Sequence, residues 1–242
     1  MHRFFIPSQI LNQAEVVLPQ EVSRQIARVL RLEVGSQVVV LEGSGVEYTL
    51  NLVQVSPESV VGKIIKKEAS QGEPRTHVHL FLGLIQRERF EWMLQKCTEI
   101  GVVSFTPLVT TRSLIQRTTE VDGKYIRWQK IIQEAAEQSH RGKLPHLNQA
   151  ITFTEIVKQP LGGSTTGLFF WEEESDNQLK TVLQSVNNKE INLVIGPEGG
   201  FTHEEATAIA GAGYISVSLG KRILRVETAA MIAAGFVLYE LG

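Results

Sequence analysis

The 242-residue chain has one cysteine, Cys97, and only two aspartates, Asp122 and Asp176, among its 26 acidic residues. A lone cysteine excludes a disulfide framework and a cysteine-based zinc site. So few aspartates remove most carboxylate-cluster metal sites, and no metal is expected. No stretch approaches the ~18 consecutive apolar residues of a membrane span. The amino terminus, Met1-His2-Arg3-Phe4-Phe5-Ile6-Pro7, lacks the apolar run and small-residue cleavage site of a secretory signal. A strong charge of one sign is missing too, since 24 basic and 26 acidic residues leave −2. With 43% apolar residues the composition is too hydrophobic for a disordered chain. These absences point to a folded cytoplasmic protein of one or two domains, with no membrane partner.

The charge is unevenly spread. Residues 73–150 carry 11 basic against 8 acidic side chains, and residues 151–242 carry 6 against 11. A nucleic-acid partner would therefore have to use a local basic face.

Residues 1–72 read as short strands around one helix. In Glu21 to Leu30, the residues Val22, Ile26, Val29 and Leu30 fall at helical spacing, with Arg24, Arg28 and Arg31 on the other positions. Val38 to Leu41, Tyr48 to Val53 and Val60 to Ile65 follow as strands of a small barrel-like unit. A polar stretch, Lys66 to Pro74, reads as a linker. Beyond it strands and helices alternate, which implies a mostly parallel sheet covered on both faces. The expected strands are Val78 to Leu84, Val102 to Val109, Leu168 to Trp171, Ile191 to Ile195 and Tyr214 to Leu219. A last helix, Ala229 to Tyr239, is apolar on nearly every side and should be buried all round, more easily if part of it meets a second copy of the chain.

Three familiar motifs fail. Gly211-Ala212-Gly213 ends a helix where a dinucleotide fingerprint would follow a strand. Gly220-Lys221 lacks the rest of a phosphate-binding loop, and His203-Glu204 lacks the second histidine of a zinc protease.

Two loops carry more. Ile195-Gly196-Pro197-Glu198-Gly199-Gly200-Phe201 follows an apolar strand, and Thr202 and Glu205 form a capping box that opens a helix. A glycine-rich turn from strand to helix is where α/β sheets bind ligands. Gly220-Lys221-Arg222-Ile223-Leu224-Arg225-Val226-Glu227-Thr228 has the same placement, and its three cations read either as a surface basic loop or, packed among apolar elements, as the site of an anionic or polar ligand. A third cluster, Glu137 to His146, puts Arg141 and Lys143 near a helix end. With Arg112, Arg117, Lys124, Arg127 and Lys130 it reads either as a favourable helix-end charge or as an RNA-backbone patch.

Together the two loops resemble the cofactor half of the RsmE-type 16S ribosomal RNA uracil-N3 methyltransferases, of the SPOUT superfamily. Leu94 to Val102, Arg127 to Ile131, Glu134 to Ser139 and Arg28-Val29-Leu30-Arg31 are similar to family segments in the same order. The family's lysine-containing turn is here Gln86-Arg87-Glu88-Arg89-Phe90, with Arg87 and Arg89 both open as replacements.

The resemblance implies a PUA-like RNA-binding β-barrel over 1–72 and a SPOUT α/β methyltransferase domain over 73–242, with a C-terminal trefoil knot. It also implies S-adenosylmethionine as cofactor, a homodimer, and 16S ribosomal RNA or the small subunit as partner. The expected cofactor residues are Phe170, Ile195, Gly196, Pro197, Gly199, Gly200, Leu219, Gly220, Ile223, Leu224 and Thr228. Arg222 and Arg225 are the expected catalytic cations, with Glu198 or Glu227 as proton acceptor or arginine support. RNA contacts are expected from Arg3, Arg24, Arg28, Arg31, Arg112, Arg141 and Lys143. Three rivals are a SPOUT enzyme acting on another RNA atom, a non-catalytic RNA-binding assembly factor on the same scaffold, and a small-molecule enzyme with a nucleotide cofactor.

Overall fold

The computed structural model describes residues 1–13, 15–159 and 161–242. They form two compact units, one of Met1–Glu73 with Ala136–Leu144, the other of Pro74–Ala135 with Pro145–Gly242.

The first unit is a five-stranded mixed sheet built from β1 (Arg3–Phe5), β2 (Glu15–Val17), β3 (Gln37–Leu41), β4 (Val46–Val55) and β5 (Val60–Ala69). The order is β1-β3-β4-β5-β2, with β1 parallel to β3 and the other pairs antiparallel. Helix α1 (Gln20–Arg24) starts after Pro19 and runs on as a π-type segment, Gln25–Leu30. Ile26 is buried with Val16, Val38, Val40, Leu50, Leu52 and Val60. The helical reading placed Val29 on the inner face, but it is 73% exposed. A π segment bonds i to i+5 and winds more slowly, so Leu30 returns to the core and Val29 turns outward.

The second unit alternates strand and helix. Its elements are β6 (His77–Gly83), α2 (Arg87–Ile100), β7 (Ser104–Val109), α3 (Tyr125–Gln138), β8 (His146–Leu147), β9 (Ile151–Thr152) and α4 (Phe153–Lys158). They continue with β10 (Thr165–Phe170), α5 (Leu179–Leu183), β11 (Glu190–Ile195), α6 (His203–Gly211), β12 (Ile215–Val217) and α7 (Val226–Leu241). The sheet order is β12-β10-β11-β6-β7-β8, with β9 also beside β7, and every pair is parallel.

Alternate residues of the central strands feed two cores. Leu80, Leu82 and Leu193 pack with Phe90, Met93 and Leu94 of α2 and with Ala230, Ala233 and Val237 of α7. Phe169 and Val194 pack with Phe201, Ala206 and Ile209 on the other side. This is the double coverage that apolar parallel strands require. Cys97 lies wholly in the first of these cores, and burial pushes its thiol up to about 12, so it is packing material and no nucleophile. Helix α7 begins three residues earlier than its apolar run suggests. It is not buried all round: its inner face is, but Phe236 is 53% and Tyr239 89% exposed. Among the described residues no helix is long and apolar enough to cross a membrane.

Candidate functional site

Three chain segments leave the carboxyl ends of β10, β11 and β12 and enclose a cavity of about 420 Å³. Strand ends on one rim of a parallel sheet are where such folds bind ligands. The first wall is Ile195, Gly196, Pro197 and Gly200. Gly200 N–H donates to the Pro197 carbonyl at 2.9 Å, closing the turn. Gly200 has φ +66°, left-handed backbone that glycine adopts without strain, and a Glu172 carboxylate oxygen lies 2.1 Å from where a Cβ would sit. The turn then enters α6 through the expected capping box, in which the Thr202 side chain accepts from Glu205 N–H and Glu205 accepts from Thr202 N–H.

The second wall runs from Val217 to Leu224, with Val226 and Ala229 of α7 behind it. The third is Phe170 to Ser175 with Gln178. Backbone bonds lock these two together: Ser218 N–H donates to the Asn177 carbonyl at 2.8 Å, and Leu179 N–H to the Ser218 carbonyl at 3.1 Å. The third wall is acidic. Glu174 accepts from Asn177 N–H at 3.1 Å and Asp176 N–H at 2.8 Å, and these bonds, the Asn177 one first, hold its carboxyl below the usual range. The cavity thus joins aliphatic surface from Ile195, Leu219 and Leu224 to charge of both signs, Glu172, Glu173 and Glu174 on the third wall and Lys221 and Arg222 on the second.

Of the residues expected from sequence, Phe170, Ile195, Gly196, Pro197, Gly200, Leu219, Gly220, Arg222, Ile223 and Leu224 line this cavity. Glu198 and Gly199 do not. Glu198 is exposed and pairs with Arg89 of α2, while Gly199 packs under Arg112. Arg225, Glu227 and Thr228 stand at the start of α7, outside the lining, and Arg225 is its N-cap. One Glu227 carboxylate oxygen is buried with no hydrogen-bond partner among the described residues.

The expected RNA residues divide. Arg24, Arg28, Arg31 and Lys143 are exposed. Arg141 is not a surface cation: it is 2% exposed, and its guanidinium donates to Glu73 at 2.8 and 3.3 Å. Glu73 also accepts from the N–H groups of Gly142 (2.9 Å) and Lys143 (3.0 Å). Burial alone would raise the Glu73 pKa, but Arg141 and the two N–H groups outweigh it and hold the carboxyl below its ordinary value. Arg3 is likewise withdrawn, its side chain 7% exposed and ion-paired with Glu47. Arg112 is exposed, but its Nη1 is bonded to the Gly199 and Phe201 carbonyls.

Sequence reasoning missed Val217, Ser218, Gln178 and Glu174. The run Glu172-Glu173-Glu174 directly after an apolar strand was the one local signal for the third wall.

The pattern of the RNA methyltransferase domain family matches residues 72–238, and that of the RNA methyltransferase PUA domain matches 18–65. Ribosomal RNA small subunit methyltransferase E of Synechocystis is 35% identical over 94% of this chain and 73% of its own length. The chain belongs to the family of ribosomal RNA small subunit methyltransferase E. The methyltransferase E of Neisseria gonorrhoeae, solved bound to S-adenosyl methionine, superposes with a TM-score of 0.88 at 27% identity, covering 98% of this chain and 96% of that one. A methyltransferase of Legionella pneumophila, solved with bound cofactor SAM, gives 0.87 at 29% identity, with the same coverage of 98% and 96%. Membership of the methyltransferase E family fits the α/β second unit and the mixed sheet of the first.

Proposed function

We propose that the protein transfers the methyl group of S-adenosylmethionine to N3 of a uridine in the 16S RNA of the small ribosomal subunit. The observation that carries this reading is the cavity at the three strand ends, with aliphatic surface from Ile195, Leu219 and Leu224, an acidic wall after Phe170 and the Arg222 cation on the 219–224 loop. S-adenosylmethionine, when bound, supplies an electrophilic methyl group on a cationic sulfur.

This chain's residues do the rest. Ile195, Leu219 and Leu224 would offer the cofactor apolar surface, backbone groups around Gly196 and Gly220 would help hold it, and Glu172 and Glu174 would offset its positive charge. Uracil N3 attacks only after losing its proton, so an acceptor and a cation are needed beside it. Arg222 faces the developing negative charge on the uracil oxygens. The unpartnered Glu227 carboxylate oxygen is our candidate proton acceptor. Glu198, held by Arg89, drops out of that role. Arg225 and Thr228 sit where the loop enters α7, and the exposed Arg225 is our candidate for an RNA contact there.

We read the first unit as a PUA-like barrel that binds RNA through Arg24, Arg28 and Arg31, with Lys143 beside them in the same unit. Arg28→Ala is expected to lower the slope of log affinity against log salt by about one, measured by filter binding to small-subunit RNA. An unchanged slope removes Arg28 from the interface. The chain leaves β12 at the sheet edge, yet α7 packs on the central strands β6 and β11, and we read this return as the trefoil knot. The uncovered Phe236 and Tyr239 on α7 support a homodimer.

The test combines calorimetry with S-adenosylmethionine and mass spectrometry of methylated small-subunit RNA. One 3-methyluridine per RNA is expected, with turnover about 10²–10³-fold lower in Arg222→Ala. Absence of cofactor binding, or a methyl group on ribose, would overturn the reading.

A further inference from the structure

Strand β7 ends at Val109 and the chain folds into a tight turn over Thr110 to Ser113. Thr110 and Ser113 are buried and bonded to each other: Ser113 N–H donates to the Thr110 carbonyl at 3.2 Å, and Thr110 N–H to the Ser113 hydroxyl at 2.9 Å. A turn so closed presents its two middle residues in one fixed direction, toward the loop after β11.

The two loops exchange bonds both ways. Thr111 N–H donates to the Glu205 carboxylate at 2.8 Å, and that carboxylate also caps its own helix at Thr202 N–H, 2.9 Å away. In return Arg112 Nη1 donates to the Gly199 carbonyl at 2.8 Å and the Phe201 carbonyl at 3.3 Å. The Arg112 stem lies so close over Gly199 that a Cβ there would come within 2.9 Å of the arginine Cβ. Gly199 itself does not line the cavity, whereas Gly200 beside it does.

From this reciprocal clasp we infer that Arg112 is a positioning residue for cofactor binding, holding the 199–201 backbone in shape from outside the cavity, and is not a phosphate contact for RNA. The inference rests on the reading of that loop as the cofactor loop. A guanidinium is a rigid planar fork that can hold two carbonyls at once, which a lysine ammonium on a flexible stem does less well. Without it the Gly199 and Phe201 carbonyls lose that tie, more of the loop's ordering falls on cofactor binding, and affinity falls accordingly.

The test uses the full-length wild type, Arg112→Ala and Arg112→Lys, with three readouts: Kd for S-adenosylmethionine by calorimetry, KM and kcat on small-subunit RNA, and the salt slope of RNA binding. Arg112→Ala is expected to raise Kd and KM for the cofactor about tenfold, the loss of one charged hydrogen-bonding group. The loss should fall on KM rather than kcat at saturating cofactor, and the RNA salt slope should stay as in the wild type. Arg112→Lys should lie between the two. Unchanged cofactor affinity in a wild type and alanine variant that both bind normally would overturn the inference alone. So would a salt slope lowered by about one without any cofactor effect. Should Arg112→Ala fail to fold, a Kd for Arg112→Lys equal to wild type would overturn it. A wild type that binds no cofactor would sink the functional reading, and the clasp with it.

Discussion

Gly83→Ala is expected to cost about 100-fold in S-adenosylmethionine affinity if the cavity holds the cofactor as proposed, because the end of β6 and the first cavity wall touch backbone to backbone. An added Cβ at Gly83 would lie 2.4 Å from the Pro197 nitrogen and 2.6 Å from the Gly196 carbonyl carbon. Neither atom can swing aside as a side-chain tip can, so the wall itself must shift. Overpacking of this kind costs about 1–3 kcal/mol where the surroundings can relax, and at this position the relaxation displaces the ligand-lining peptide. Calorimetry checks the affinity and circular dichroism the fold. An alanine variant that binds the cofactor as the wild type does would show that the wall tolerates the shift.

Arg141→Met is expected to destabilise the first unit by about 3–5 kcal/mol, the range for removing one partner of a buried ion pair. The substitution leaves the Glu73 carboxylate with only the Gly142 and Lys143 N–H groups for compensation. The same pair predicts an acid limit. The Glu73 pKa is lowered in the folded protein, so its contribution is complete above the ordinary glutamate value of about 4.3. That contribution is lost as pH falls from there through the lower folded value. Glu73→Gln removes this term and should flatten stability against pH in that acid window, while lowering stability at pH 7. Urea unfolding at several pH values gives both quantities, and a parallel loss in variant and wild type down to pH 3 would count against the pair.

Both predictions concern residues that the sequence did not single out in these roles, for one physical reason. The strands and helices of the second unit are written in local apolar periodicity, and the two cavity loops in glycines placed between an apolar strand and the start of a helix. Such signals span ten residues or fewer. The Arg141–Glu73 pair joins positions 68 apart and the Arg112 clasp positions 87 apart, so nothing nearby distinguishes these arginines from solvent-facing ones. Local basic clustering and the family resemblance made Arg3 and Arg141 look like RNA cations, whereas their ion pairs with Glu47 and Glu73 withdraw them from the surface. Phe170 was expected at the cavity, but Gln178 and Ser218 were hidden, because they meet only through a bridge between distant segments. Val29 was misplaced by a local effect, the change of helical winding after Arg24.

The strands of the second unit all point the same way, so the loops around the cavity depart from a single rim, after Phe170, Ile195 and Val217. The opposite rim, where Glu190 bonds both His77 and His79 at 2.8 Å, carries none of them. The cavity and the histidine–carboxylate cluster therefore occupy separate ends of one sheet, and side chains at His77 and His79 are held apart from the cavity lining by the length of the strands.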